Sequence, residues 1–391
     1  MRILVVTDDH VGPAMAGSGL RAWELARVLL AAGNEVVLAG GSGSIHPEGH
    51  GPPVVTTPRW RWAEAVVGQP WSLPPRAFVG NHLLVVDGVT PLLAELAAAP
   101  QSRLVERRRR TAAARLPLVS ARADAVLAAG EVQVQWWRRR LGCGREVPVI
   151  EVPFGISETD PEPEVGNIHG VPPGWQVVLW WGGVWPWLDL ETLLAARARL
   201  GVAKVSVVVP TAERPGGSSS AFTTADLRAA AARHGLQSPQ VLPLERWVPY
   251  ATRHLVLNRA ALLAVLHRPG AESELSFRTR ALDGVWAAVP LLLTEGGAVA
   301  AIARAGGWGG VVPPQQVEAT AAAIQLLLGL RGQERCRQAL AAHRDAWRWS
   351  VVAQPLVDLL PELPTTRRRW LAPAALAAAA ALLRPPAAEP R

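Results

Sequence analysis

The chain has 391 residues, 49% of them hydrophobic and 18% charged, a balance that excludes a disordered or fibrous protein and suggests two domains, each with its own core. Net charge is +8 and all but one of the 40 basic residues are Arg, so the surface attracts anions but no single Arg cluster is diagnostic. Cys143 and Cys336 lie far apart without His or Cys neighbours at metal-ligand spacing, which excludes a disulfide scaffold and a zinc ribbon and fits a reducing cytoplasm.

The first elements alternate in type. An apolar strand (Ile3 to Val6) turns polar at Thr7-Asp8-Asp9, too short a run for a signal-peptide core. A helix (Leu20 to Ala32) follows, with Arg21, Glu24 and Arg27 as a polar stripe and Gly33-Asn34 as its stop, then a strand from Val36 to Ala39. Residues 46 to 75, rich in Gly, Pro and Trp, read as loops with one short helix. Strands at Leu83 to Val86 and Ala125 to Ala128 are each followed by a helix, from about Pro91 and from Glu131, as in a parallel sheet. The acidic, proline-punctuated stretch Asp160-Pro161-Glu162-Pro163-Glu164 reads as a linker.

The pattern then restarts. Strands are expected at Val177 to Trp181, Val205 to Val209, Leu262 to Leu266, Leu291 to Thr294 and Gly310 to Val312. Helices intervene at Leu190 to Leu200 and at Ala225 to His234, the latter opened by a Thr223/Asp226 capping box. The expected division is 1–155, a linker at 156–173, 174–345, a helical return at 346–360 and an Arg/Ala/Pro-rich tail at 361–391. The longest uncharged stretches, Gly174 to Leu188 and Leu371 to Leu383, are shorter than the roughly 20 residues of a spanning helix and contain proline.

Two glycine loops could face phosphate. Gly17-Ser18-Gly19 opens the first helix, where backbone N–H groups can meet a pyrophosphate. It follows its strand by a long loop, and strand two ends in Ala39-Gly40-Gly41 without the acid that holds an adenosine ribose, which rejects NAD. Gly182-Gly183 follows the first strand of the second half, at the ligand-binding edge of a parallel sheet. Both are also readable as plain turns. Trp180, Trp181, Trp185 and Trp187 around the second loop are readable as packing alone.

The densest polar cluster comprises His267, Arg268, Glu272, Glu274, Arg278, Arg280 and Asp283, after a buried strand. So many charges there are costly unless they meet a ligand or one another. Two Arg can neutralise a diphosphate and a carboxylate can accept from sugar hydroxyls. A solvated helix face with Arg–Glu pairs is the competing reading.

Residues Met1 to Gly41, Val152-Pro153-Phe154-Gly155-Ile156, and Phe277 to Asp283 through Pro290 to Thr294-Glu295-Gly296-Gly297 resemble the family 4 glycosyltransferases. The resemblance covers roughly residues 1 to 360 and is weak between Ile45 and Pro117. It implies an α/β chain with the GT-B fold, two Rossmann-like domains with parallel sheets facing across a cleft. The N-terminal domain would bind the acceptor and the C-terminal one the nucleotide sugar. It also implies transfer with retention of configuration, no metal and no other cofactor.

That family typically carries Glu-x7-Glu at the cluster, the first acid near the donor sugar and the second on the ribose. Asp283 takes the second place. Strict spacing puts Leu275 at the first, so Glu272 or Glu274 serves there. The usual Arg and Lys after the glycine loop are absent from Val184 to Leu188, and Arg278 and Arg280 are inferred to substitute. His267 resembles a donor-pocket position and Glu295-Gly296-Gly297 the turn against sugar and phosphate. Asp87 stands where the family often has His near the reacting sugar; Asp-Gly is also an ordinary turn.

The expected partners are a nucleotide-sugar donor and a carbohydrate or lipid-linked acceptor, in cell-envelope or polysaccharide synthesis. Three basic patches, Arg107 to Arg110, Trp136 to Arg140 and Arg367 to Trp370, read first as solvated helix faces and second as peripheral contact with an anionic membrane at its inner face. No nucleic-acid-binding fold is recognised, and no nucleic-acid partner is expected. Asp8-Asp9 is no metal-binding Asp-x-Asp, and His46 and His50 flank Glu48 without the helix a zinc protease needs. A non-catalytic GT-B partner protein is the alternative.

Overall fold

The computed structural model describes residues 1–47, 49–141, 147–217 and 222–364. Glu48, Cys143, the Arg367 to Trp370 patch and the tail from 365 lie outside the described residues. Two parallel sheets organise the chain. The first has strands in the order β3-β2-β1-β4-β5-β6-β7, namely β1 (Arg2–Val6), β2 (Glu35–Ala39), β3 (Val54–Val55), β4 (Ala65–Gly68), β5 (Leu83–Asp87), β6 (Ala125–Ala128) and β7 (Val149–Glu151). Its helices are α1 (Gly17–Ala31), α2 (Leu92–Ala98), α3 (Arg103–Ala113), α4 (Leu116–Arg122) and α5 (Glu131–Leu141).

The second sheet runs β10-β9-β8-β11-β12-β13, from β8 (Gln176–Trp180), β9 (Val205–Pro210), β10 (Val241–Leu244), β11 (Leu262–Val265), β12 (Leu291–Thr294) and β13 (Gly309–Val312). Its helices are α6 (Leu190–Arg199), α7 (Thr224–Arg233), α8 (His254–Leu257), α9 (Ala271–Leu275), α10 (Arg280–Ala287), α11 (Gly297–Gly306), α12 (Val317–Leu328) and α13 (Leu330–His343). The Thr223/Asp226 capping box is present at the start of α7.

One expectation is corrected at the centre of the first sheet. The segment expected as loops contains β4, which pairs with β1 on one side and β5 on the other. Four residues, Ala65-Val66-Val67-Gly68, flanked by Trp, Gly and Pro give too short a run to signal a strand. They form one because both faces are buried, as in parallel sheets generally. The edge strand β10 escaped for a related reason, since Pro243 interrupts it.

Buried side chains form a cluster that is continuous between the two sheets, from Ile3 and Val85 through Phe154 and Phe277 to Leu263 and Leu293. The end of the described chain, α14 (Trp349–Val352) and α15 (Gln354–Leu359), returns to α1. There Trp349 is fully buried, 4.9 Å from the Phe154 ring, and its backbone N–H donates to the Ile156 carbonyl at 3.1 Å.

Arg21 on α1 ties these pieces together. Its Nε donates to both Asp87 oxygens, at 2.8 and 3.0 Å. Its Nη atoms donate to the Val152 and Pro153 carbonyls, both at 2.9 Å, and its guanidinium lies 5.9 Å from the Trp349 ring centroid. Removing one member of such a buried pair strands the other charge away from water. Arg21→Met should therefore lower unfolding stability by about 3–5 kcal/mol in urea titration, and Arg21→Met with Asp87→Leu should recover most of the loss.

Candidate active site

The polar cluster forms at the carboxyl ends of β8, β11 and β12, the edge where open parallel sheets bind ligands. Beyond β8 the chain turns at Gly182, with φ +84°. A methyl group there would sit 3.1 Å from Arg280 Nε, so glycine is required both for the turn and for the guanidinium lying along it. Arg280 opens α10 and makes no hydrogen bond or ion pair among the described residues. Burial lowers its pKa to about 10, opposed by Glu272 and Glu95, and it stays a cation at neutral pH.

Arg278 has a different task. Its Nη1 donates to the Thr294 carbonyl and its Nη2 to the Glu295 carbonyl at 2.9 Å and to Ser273 Oγ at 3.2 Å. Arg278, expected with Arg280 to face phosphate, has its Nη donors on protein: it pins the turn after β12, because that turn presents unpaired carbonyls to a buried cation. Arg278 Nε is buried without a partner.

His267 and Glu272 are buried together, with Nδ1 and Oε2 2.9 Å apart. Burial, with the Arg278 and Arg280 charges, pushes the imidazole well below its ordinary pKa. Burial pushes the Glu272 carboxyl up to about 7, against the pull of the same two Arg. Both groups favour the neutral form. When the carboxyl is protonated it donates to Nδ1 and the imidazole proton sits on Nε2; when it is ionised it accepts from Nδ1–H.

The other predicted residues divide. Asp283 accepts from Trp181 Nε1 at 2.8 Å and Arg253 Nε at 3.0 Å, while Arg253 is stacked between Tyr250 and Trp286 at 3.8 and 3.6 Å. Glu274 is exposed, and a methyl on Gly296 would meet its Oε1 at 2.8 Å. Gly296 and Gly297, at φ +91° and +68°, open α11. The Glu295 side chain turns out to Arg304 at 2.8 Å, so only its backbone serves the turn. Gly183 packs beside Trp185. The Trp185 and Trp187 rings stack at 5.7 Å with an 8° interplanar angle.

Across the cleft, Gly17 begins α1 and faces Thr279, whose Oγ1 would be 4.0 Å from a methyl there. Gly19 instead is a packing glycine, since a methyl would sit 2.5 Å from the His10 carbonyl oxygen. Asp87, expected near the reacting sugar, has both oxygens on Arg21 and is removed from that role. The lobes touch through Gln133 Nε2 to the Leu275 carbonyl at 2.7 Å, Tyr250 N–H to the Pro13 carbonyl at 3.0 Å, and the Arg214–Asp9 ion pair.

Sequence reasoning missed Glu95. It lies on α2, which packs against α9 across the cleft. Burial and the Glu272 carboxylate push its pKa up to about 7, against Arg214, Arg108 and Arg280. Its side chain has no hydrogen bond or ion pair among the described residues. The available signal was that it is the one charge between Pro91 and Pro100.

No family model matches the sequence, and no curated protein matches it. Solved structures do. Sucrose-phosphate synthase from Thermosynechococcus elongatus superposes with TM-score 0.65 at 16% identity, over 93% of this chain and 98% of that one. Anabaena HepE in complex with UDP and glucose gives TM-score 0.67 at 14% identity, over 93% and 99%. WaaG, a glycosyltransferase involved in lipopolysaccharide biosynthesis, gives 0.64 at 15%, over 92% and 99%. The chain has the GT-B fold.

The raised Glu272 pKa has a definite consequence for stability. The folded state binds a proton more tightly than the unfolded one, so this contribution is full below about pH 4.5 and is lost as pH rises through about 7. Glu272→Gln, which keeps a donor for Nδ1 and cannot ionise, should be more stable than wild type at pH 8 by on the order of 2 kcal/mol and equal to it at pH 4, read from urea midpoints.

Proposed function

We propose that the protein transfers a sugar from a nucleoside diphosphate sugar to a carbohydrate, lipid-linked or small-molecule acceptor, with retention of configuration in the manner of family 4 glycosyltransferases. The observation that carries this is Arg280: a part-buried cation with no hydrogen bond or ion pair among the described residues, lying along the Gly182 backbone at the ligand-binding edge of the second sheet. Burying a guanidinium that makes no hydrogen bond to protein is costly, the Glu272 and Glu95 carboxyls offset this only in part because burial pushes both towards the neutral form, and a diphosphate supplies both charge and acceptors with good geometry. Similarity to a structure holding UDP and glucose supports the same donor class.

In this reading, Arg280 and the backbone at Gly182 stabilise the charge that builds on the departing diphosphate. His267 Nε2–H binds a sugar hydroxyl. The N-terminus of α1 at Gly17 adds a favourable dipole from the opposite lobe. Glu95 accepts a hydrogen bond from the acceptor hydroxyl. The acceptor oxygen bonds to the anomeric carbon as the bond to the diphosphate breaks, and the hydroxyl proton leaves with the diphosphate.

We place the enzyme in the cytoplasm, peripherally at the membrane's inner face. Among the described residues no helix is long and apolar enough to cross a membrane. The support for peripheral contact is the exposed cations of α3 and α5. Arg109 and Arg110 of α3 are paired with Glu106. Trp136 carries Arg140 at 3.5 Å over its ring, whereas Trp137 is core, with Nε1 on the Gly88 carbonyl at 3.0 Å.

A second reading, a non-catalytic GT-B partner in polysaccharide or glycolipid assembly, is favoured by Asp283 and Arg278 already being bonded to protein. Thermal-shift measurement against nucleoside diphosphates and their glucose conjugates, followed by donor-turnover assay, separates the two. The proposal expects stabilisation by at least one conjugate and measurable turnover; stabilisation without turnover, or neither, contradicts the transferase reading and favours the second. Arg280→Ala should weaken the stabilising nucleotide by roughly tenfold to a hundredfold, the range of one charge-assisted hydrogen bond. Glu95→Gln should lower kcat/KM for the acceptor by about tenfold or more while leaving donor affinity unchanged.

A further inference from the structure

The amino ends of the first sheet's strands form an open depression of about 640 Å³, lined by residues that directly precede β1, β4 and β5 together with Trp60 and the exposed Arg61 and Arg76. That volume suits a small-molecule ligand. It lies at the opposite end of the strands from the cleft, on the order of 15 Å away for strands of this length. Nothing in the transfer reaction described above uses it.

Its chemistry is specific. Arg76 lies 4.9 Å from the Trp60 ring centroid, and Trp60 is 6.4 Å from His82. Neither Arg61 nor Arg76 has a carboxylate partner among the described residues. The acid in the lining, Glu64, is spent on Arg2, accepting from its backbone N–H at 2.8 Å and its Nη2 at 3.5 Å. The depression is therefore cationic, with an aromatic ring in its wall.

Two neutral groups complete it. His82 is 7% exposed, and its Nε2 meets the Ala77 carbonyl at 2.9 Å, so Nε2 carries the proton. Burial lowers its pKa, which keeps the ring neutral and leaves Nδ1 as a hydrogen-bond acceptor with no protein partner among the described residues. The Asn81 amide is likewise unpartnered among them. Guanidiniums call for an anion. Nδ1 calls for a hydroxyl donor, the indole for an apolar face, and the Asn81 amide takes either a donor or an acceptor.

We propose that this depression is a second binding site, for a small carbohydrate that carries a phosphate or carboxylate. The sugar hydroxyls meet His82 and Asn81, the C–H face of the ring lies against Trp60, and the anionic group sits between Arg61 and Arg76.

Isothermal titration of the full chain with glucose 6-phosphate, glucuronate, glucose and inorganic phosphate tests this. Saturable millimolar or tighter binding is expected for one or both sugar anions. It should weaken about tenfold or more in Arg61→Ala/Arg76→Ala, and remain in Arg228→Ala/Arg331→Ala, which removes the same charge from exposed positions elsewhere. If glucose 6-phosphate alone binds, the anion is phosphate; if glucuronate alone binds, it is carboxylate. The proposal is overturned if neither sugar anion binds saturably, if the two double variants behave alike, or if inorganic phosphate binds as tightly as the sugar phosphate.

Discussion

The cleft depends on how its two neighbouring guanidiniums are used. Arg278 holds the Thr294 and Glu295 carbonyls, which fixes the turn between β12 and α11 against α9. Backbone carbonyls at the end of a buried strand need donors, and a single Arg supplies them from one planar group. With Arg278 committed to the scaffold, Arg280 lies part-buried along the Gly182 backbone with no hydrogen bond or ion pair among the described residues. One residue builds the wall, and the other, two positions later at the start of a helix, keeps its donors unspent on protein among the described residues.

A comparable economy joins the lobes. Arg21 lies on the first helix of one lobe and reaches the last residue of β5, the start of the interdomain connection and the returning C-terminal helix. A fully buried guanidinium with this many carbonyl and carboxylate partners sets the angle at which the chain leaves the first lobe. The opposite rim is held by polar contacts, Gln133 to Leu275 and Asp9 to Arg214.

Much of the fold was legible because parallel strands flanked by helices leave strong periodic traces. Most predicted strands fell within a residue or two of their observed positions. What failed to show was short: β4 has four residues and is recognisable only through the sheet on both sides of it. The site was less legible than the fold for a related reason. Sequence reveals which charges are near one another along the chain, and does not reveal which are consumed by the scaffold. Asp87 stands where the resembled family often has His near the reacting sugar, yet its partner lies 66 residues earlier. Arg278 and Arg280 looked equivalent, and only three-dimensional placement separates a carbonyl-bound guanidinium from a free one. Glu95 carried one faint mark, a lone charge in an apolar helix, and its relation to Glu272 arises from two helices meeting across the cleft.

The central claim is that Arg280 and the Gly182 backbone receive the donor's diphosphate while Arg278 stays on its carbonyls. A crystal structure of the complex with a nucleoside diphosphate that stabilises the protein tests it most directly. The account predicts phosphate oxygens within hydrogen-bond distance of the Arg280 guanidinium and of backbone N–H groups at 182–183, with the Arg278 contacts to Thr294 and Glu295 unchanged. A nucleotide bound elsewhere, or one held by Arg278 with Arg280 turned away, would contradict it.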